Sequence, residues 1–225
     1  TSLGCNGSRI KTVEHLLAAL SGLGIDNVLI EVNGPEIPIL DGSSAQFVRD
    51  ILEAGVANQS AKRPYLKIVS PVCFREGNAE ITAVPYDGRK LTYQIYFDHR
   101  LLGHQKLSMD LYEEKFVREL APARTFGFLK DIERLRSMGL AKGGSLDNAV
   151  ILDESDVVNS SGLRFKDEFI RHKVLDFIGD LSLIGFPVEG HISAVRSGHT
   201  TNMKFVKKLL SAVDCWQVVT GVERH

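Results

Sequence analysis

The segment RHKVLDFIGD (171–180) constrains the fold more than any other stretch of the chain. It belongs to a predicted helix over 167–184 whose apolar residues cover most of the circumference, so we expect the helix to be buried. His172, Asp176 and Asp180 follow one another in four-residue steps, about 40° apart around the axis. A buried carboxylate is costly unless it is paired or bound to a metal. The polar line is therefore either a solvated face with a His/Asp pair or the wall of a site.

Helices and strands are mixed along the rest of the chain, without regular βαβ alternation. The apolar patterns and caps predict further helices over 10–22, from Ser43 or Ser44 to about Glu53, and over 113–120, 128–138 and 199–212. They predict strands over 27–32, 65–70, 79–84, 91–97 and 188–195, with Asp87-Gly88 as a hairpin turn between the third and fourth of these. This mixture predicts an α+β fold of sheets layered on helices. The polar segment 55–64 predicts a boundary between a first domain (1–60) and a second (61–225).

Composition excludes several classes of function. The formal net charge of −1 over 225 residues gives no basic surface for nucleic acid. No apolar run reaches the roughly 18 residues that a membrane-spanning helix needs, and no signal peptide is recognisable. Three scattered cysteines do not make a disulfide framework, which favours a cytoplasmic protein. Because no CxxC pair is present, a metal site would have to use histidine and carboxylate.

A metal site is the sharper interpretation of the polar line. Side chains four residues apart on a helix reach one point, and imidazole with carboxylate suits Zn²⁺ or Fe²⁺. The best third ligand is His15 in TVEHL, because Glu14 beside it could serve as the base for a bound water. A lone histidine on an apolar helix is more often a satisfied core residue, and this alternative stays open for His15.

Two further residues have the chemistry of a hydrolytic site. His199 follows a glycine at a helix start, where it is either a surface cap or a general acid whose charge Asp180 could support. Thr125 in ARTFGF is either an ordinary strand residue or a hydroxyl donor to an oxyanion.

Several segments together resemble one enzyme family. TVEHL, ARTFGF, GLAKGGSLDNAVIL, RHKVLDFIGD and SGHTTN occur in the order found in the UDP-3-O-acyl-N-acetylglucosamine deacetylases. The resemblance implies two similar α+β domains with the active site between them. It also implies that the first domain is incomplete, because the family's β-rich N-terminal stretch is not found before TSLG; that stretch would be a partner of the chain. The implied activity removes the N-acetyl group of a nucleotide-sugar lipid, giving the free amine and acetate, as the committed step of lipid A biosynthesis.

The resemblance also implies roles for individual residues. His15, His172 and Asp176 would bind Zn²⁺, with Fe²⁺ as a possible substitute. Glu14 would be the general base, His199 the cationic acid supported by Asp180, and Thr125 the donor to the oxyanion. Lys173 and Phe126 would hold the nucleotide sugar. A βαβ insert over about 127–152 would form the acyl passage, lined by Leu129, Ile132, Leu140, Gly144, Ser145, Ala149 and Ile151.

Two other functions remain open at this point. Two histidines and one carboxylate also form the facial triad of a non-haem Fe(II) oxygenase. The ligands of such an enzyme usually lie close together on a strand or turn, whereas His172 and Asp176 are four apart on a helix. A truncated fragment or binding module of the same fold is the non-enzymatic alternative.

Overall fold

The central element of the molecule is the helix that the sequence predicted to be buried. A computed structural model describes residues 1–131 and 145–220. The helix spans Glu168–Leu181 and continues as a 3-10 turn over Ser182–Ile184. Almost all of its side chains are buried, the polar line included. The solvated-face interpretation of that line is therefore wrong, because neighbouring elements surround the helix.

The remaining elements are distributed along the whole chain. The helices are α1 (Glu14–Gly22), α2 (Ala45–Ala54), α3 (Glu113–Lys115) with a π-helical turn over Phe116–Leu120, α4 (Glu168–Leu181) and α5 (His199–Ser211). A second 3-10 turn spans Val213–Cys215. The first strands are β1 (Ser2–Cys5), β2 (Ser8–Lys11), β3 (Pro64–Ile68), β4 (Val72–Glu76), β5 (Ala79–Val84) and β6 (Arg89–Tyr96). The others are β7 (His104–Asp110), β8 (Phe126–Phe128), β9 (Val150–Leu152), β10 (Val188–Val195) and β11 (Trp216–Thr220).

The largest sheet has seven strands and is built around β10. This strand pairs antiparallel with β5, parallel with β6 and parallel with β3. The outer strands are β4 beside β5, β7 beside β6 and β11 beside β3. Helix α4 packs on β6 and β7, and α5 packs on β4 and β5. Sheets layered on helices are the α+β fold that the sequence predicts, and that prediction is confirmed.

The Asp87-Gly88 hairpin prediction is wrong. The chain does turn there, with Gly88 at a φ of 131°, but β5 and β6 are not hydrogen-bonded neighbours. Strand β10 lies between them, so that Ile192 pairs with Ala83 on one side and Leu91 on the other. Turn chemistry is local, whereas the inserted strand comes from about a hundred residues later in the chain.

Two predictions near the N-terminus are also corrected. Residues 27–32 form no strand, since no described segment supplies the backbone partner that a strand needs. Leu29 in this segment is 84% exposed. The predicted helix over 10–22 begins only at Glu14, because Ser8–Lys11 forms a hairpin with β1.

The segment predicted as a βαβ insert is described at its two ends. Strands β8 and β9 form a parallel pair in which Phe126 lies opposite Val150. A parallel pair requires a crossover connection, as a βαβ unit has. Most of the helix predicted over 128–138 falls outside the described residues, as do three predicted lining positions, namely Ile132, Leu140 and Gly144.

The segment predicted as a linker follows α2. Residues 55–62 are exposed and precede β3. The division into a first domain (1–60) and a second (61–225) stays a prediction. No helix in the described parts of the chain has the length and apolar character needed to cross a bilayer.

Candidate active site and metal centre

Three buried side chains from two helices converge at one point. His15, His172 and Asp176 each offer a ligand atom, and these atoms lie within 4.8 Å of one another. Asp176 Oδ1 is 3.3 Å from His172 Nε2 and 3.5 Å from His15 Nε2. The two rings meet edge to face with centroids 5.0 Å apart. The structure therefore brings together the three residues that the sequence proposed as ligands.

A close crossing of α1 and α4 places His15 opposite the α4 residues. At Gly179 a Cβ atom would lie 2.1 Å from the carbonyl oxygen of Glu14, so only glycine allows the helices to approach this closely. The first turn of α1 is also held from the other side, where Ser44 Oγ donates to the carbonyl oxygen of His15 (2.7 Å). The position of the site thus follows from backbone packing as well as from side-chain chemistry.

His172 is held in a neutral form that could bind a metal. Its Nδ1 donates to the carbonyl oxygen of Ala123 (3.1 Å), which leaves the Nε2 lone pair directed toward Asp176. Burial lowers the pKa of His172 to about 4, despite the opposing effect of the Asp176 charge. The ring is therefore neutral at physiological pH, as metal binding requires.

The cluster fits a metal ion. Asp176 Oδ1 is buried and accepts no hydrogen bond from the described residues, although two imidazole nitrogens face it. Burial alone raises the pKa of Asp176, but His172 and the Lys173 ammonium outweigh it and hold the pKa well below the usual value. A buried ionised carboxylate whose unpaired oxygen faces two imidazole nitrogens has the donor set of a Zn²⁺ or Fe²⁺ site.

A second polar cluster lies one turn further along α4. His199 Nδ1 donates to Asp180 Oδ2 (2.7 Å), and Asn202 Nδ2 donates to the same oxygen (2.8 Å). The hydroxyl of Thr1 donates to Asp180 Oδ1 (2.5 Å) and lies 3.0 Å from His199 Nδ1. Burial alone lowers the pKa of His199, but the hydrogen bond to Asp180 and the neighbouring carboxylates outweigh it and raise the pKa above its usual value. His199 is therefore poised to carry a proton.

Glu14 lies between the two clusters. Its Oε1 is 3.5 Å from His199 Nε2, and its Oε2 accepts a hydrogen bond from the Thr1 nitrogen (2.9 Å). His199 Nε2 is also 3.8 Å from Asp176 Oδ2. Glu14 is not one of the three clustered ligands, so a carboxylate is available there that need not bind the metal.

The residues expected to contact substrate surround this centre unevenly. Lys173 Nζ is 3.3 Å from Asp176 Oδ2 and 6.0 Å from the centre of the Phe126 ring, and that ring is 6.4 Å from the His172 ring. Thr125 is half-buried on the same segment as Ala123, and its backbone N–H donates to the Gly42 carbonyl (2.7 Å). Of the expected acyl-passage residues, Leu129 and Ser145 are exposed, and Ala149 and Ile151 are half-buried.

Sequence reasoning missed three contributors to the site. The Ala123 carbonyl carries no sequence signal, because any residue supplies one. Asn202 lies three residues after His199, one helical turn along, and this spacing could have marked it. Glu168 continues the four-residue series of His172, Asp176 and Asp180 by one step toward the N-terminus.

Comparisons with known proteins agree with this geometry. The LpxC family model, described as UDP-3-O-acyl N-acetylglycosamine deacetylase, matches residues 1–211. The chain is 51% identical over 218 residues to the UDP-3-O-acyl-N-acetylglucosamine deacetylase of Thermodesulfovibrio yellowstonii, covering 97% of this chain and 74% of the relative. It is 50% identical over 220 residues to the protein of the same name from Brucella ovis, covering 97% of this chain and 77% of the relative. The chain therefore belongs to the UDP-3-O-acyl-N-acetylglucosamine deacetylase family.

Proposed function

We propose that this chain is a zinc-dependent deacetylase that hydrolyses the N-acetyl group of a UDP-3-O-acyl-N-acetylglucosamine in lipid A biosynthesis. The products are acetate and the free 2-amine. The observation that carries the proposal is the adjacency of two different clusters: a buried donor set with an unpaired carboxylate oxygen, and a histidine poised to carry a proton. A metal-dependent amide hydrolase needs both, one cluster to hold the metal and one to transfer protons.

His15, His172 and Asp176 would hold the zinc. When bound, zinc supplies Lewis acidity, which lowers the pKa of a water and polarises a carbonyl. The protein holds the His172 imidazole neutral and the Asp176 carboxylate ionised, which prepares the site to bind a cation. The donor set accepts either zinc or iron. The choice of zinc is therefore part of the proposal.

Glu14 would act as the general base. Its carboxylate lies beside the ligand cluster without belonging to it, and accepts the proton of the attacking water. His199 Nε2 is 3.5 Å from Glu14 Oε1, so the two groups lie side by side, and His199 would give its proton to the leaving nitrogen. Asp180 would support the positive charge of His199 through the Nδ1 hydrogen bond.

The remaining roles concern the substrate. Thr125 would donate its hydroxyl to the oxyanion of the tetrahedral intermediate. Lys173 and Phe126, which lie near each other beside His172, would hold the nucleotide sugar. The insert over about 127–152 would take the acyl chain. The reaction would take place in the cytoplasm, with the site formed between domains 1–60 and 61–225.

The Glu14→Gln variant tests the proposal. We expect it to retain stoichiometric zinc while acetate release from UDP-3-O-acyl-N-acetylglucosamine falls by about 10²–10⁴-fold, the usual contribution of a general base. Metal content and acetate release are measured on the same preparations, with Glu80→Gln as a control at an exposed carboxylate on β5. Loss of zinc from Glu14→Gln would make Glu14 a ligand. A wild-type protein that consumes oxygen instead of releasing acetate would overturn the proposal.

A further inference from the structure

A buried ion pair joins Arg124 to Glu168, one helical turn before His172. Glu168 is fully buried and Arg124 is 5% exposed. Glu168 Oε1 accepts hydrogen bonds from the Arg124 backbone N–H (3.0 Å) and from Nε (2.8 Å). Its Oε2 accepts from Arg124 Nη2 (3.1 Å) and from the Arg164 backbone N–H (2.6 Å). The carboxylate therefore holds the backbone at residue 124 as well as the guanidinium.

Helix α4 contacts the same backbone segment at a second point. His172 Nδ1 donates to the carbonyl oxygen of Ala123, the residue before Arg124. Glu168 and His172 are four residues apart on one helix face. The two adjacent backbone groups, the Ala123 carbonyl and the Arg124 N–H, are thus bound by neighbouring side chains of α4. This double attachment fixes the register of the segment against the helix.

That register determines the state of the ligand histidine. A carbonyl oxygen can only accept a hydrogen bond, so its position opposite Nδ1 selects the tautomer with the proton on Nδ1. The lone pair of Nε2 then faces Asp176. Thr125 follows directly on the same segment, so a shift of this backbone would displace its hydroxyl as well.

A second buried carboxylate, on β10, provides the comparison. Glu189 is 2% exposed and lies 3.1 Å from Lys67 Nζ, opposite it in the pairing of β10 with β3. Buried ion pairs contribute little net stability, because desolvation offsets their attraction. The Arg124–Glu168 pair differs because Glu168 also binds the Arg124 backbone N–H. That N–H is next to the Ala123 carbonyl, which accepts the hydrogen bond from His172.

We propose that Glu168 is a positioning residue of the hydrolytic site. By fixing residues 123–125 against α4 it keeps the Ala123 carbonyl on His172 Nδ1, and so keeps His172 in the tautomer that binds the metal. The inference rests on the proposed function for the reaction and the metal, but the tautomer itself is a property of the metal-free chain.

The test compares Glu168→Gln with Glu189→Gln. In Glu168→Gln an amide NH₂ replaces one carboxylate oxygen, so the N–H donors that this oxygen accepted from now face another donor. The remaining oxygen can still accept from the Arg124 backbone N–H. We expect zinc affinity, measured by competition with a chelator, to fall about 10–100-fold, as for other residues that orient a metal ligand. We expect kcat to fall with KM within twofold, and the imidazole ¹⁵N shifts of His172 in the metal-free protein to show mixed tautomers. Glu189→Gln should change none of these three.

Each outcome decides the proposal. Unchanged His172 shifts together with zinc affinity within twofold of wild type would make the pair purely structural and overturn it. Mixed tautomers in a protein whose wild type releases no acetate would support the positioning role while the proposed function fails. If Glu168→Gln does not fold, Arg124→Lys keeps the buried charge but loses the guanidinium fork, and it should move the same readouts in the same direction.

Discussion

Helix α4 carries two polar clusters that differ in how fully their atoms are satisfied. In the ligand cluster, Asp176 Oδ1 and His15 Nδ1 are buried without a hydrogen bond from the described residues. In the proton-handling cluster, both oxygens of Asp180 are occupied, by His199, Asn202 and Thr1. The two carboxylates are one helical turn apart and equally buried. Burial therefore does not distinguish their functions, whereas the hydrogen-bond inventory does.

The difference indicates which cluster needs a cation. An unpaired carboxylate oxygen in the protein interior is costly, and a bound metal ion removes that cost. A carboxylate that already accepts three hydrogen bonds needs no further partner, and its negative charge is available to raise the pKa of His199. Substitutions in the two clusters should therefore separate metal affinity from proton handling.

The largest effect is expected from His172→Ala. Loss of one imidazole removes a ligand and leaves Asp176 buried without its nearest ring, so the protein should lose zinc and fall to background acetate release. The substitution also leaves the buried Ala123 carbonyl without its donor, which should lower the free energy of unfolding by about 1–3 kcal/mol. Metal analysis and urea titration measure the two losses. Stoichiometric zinc in this variant would contradict the ligand assignment.

Asp180→Asn should separate the two clusters. We expect zinc content to stay at the wild-type level while kcat falls about 10–100-fold, as for other residues that act through a catalytic partner. The carboxylate raises the pKa of His199, so its removal should lower that pKa. Because the acid must be protonated, the loss of activity on the alkaline side of the pH profile should move to lower pH. If the variant has a lower kcat but loses activity at the same alkaline pH as the wild type, Asp180 has a structural role only.

The fold was predictable where the signal lies within one element. The apolar circumference of α4, the alternation of β10 and the glycine before α5 each predicted an element close to its true bounds. The predictions failed where pairing with a distant segment determines the structure. Residues 27–32 alternate as a strand should but have no strand partner, and β10 enters between two strands that a turn joins. Strand β7 is a polar edge strand whose pattern is too weak to read.

The site was predictable in its side chains but not in its backbone. His172 and Asp176 could be named as candidate ligands from their helical spacing, and His15 because Glu14 stands beside it, although spacing alone left other interpretations open. The Ala123 carbonyl and the close approach at Gly179 could not, since they depend on how two segments pack. The line of charged residues on α4 begins at Glu168, one step earlier than the predicted stripe, and this position was readable from spacing alone.

The smallest effect is expected from Asn202→Ala. Asn202 is buried, and its Oδ1 has no hydrogen-bond partner among the described residues, so alanine removes chiefly the bond from Nδ2 to Asp180. Removing one donor to a charged acceptor should lower the free energy of unfolding by about 1–3 kcal/mol. With one donor fewer, Asp180 should interact more strongly with His199 and raise the pKa of His199. The loss of activity on the alkaline side of the pH profile should then move slightly to higher pH.

Asn159→Ala provides the matched control for this smallest effect. Asn159 is also buried, but within the described structure its side chain bonds backbone groups of Leu146, Ala149 and Ile151 and none of the clustered residues. Because it loses three hydrogen bonds, it should lower the free energy of unfolding by at least as much, and it should leave the pH profile unmoved. Zinc affinity should be unchanged in both variants. Release of zinc by Asn202→Ala would mean that the two clusters form one coupled network, because the side chain of Asn202 donates to Asp180 and not to a proposed ligand.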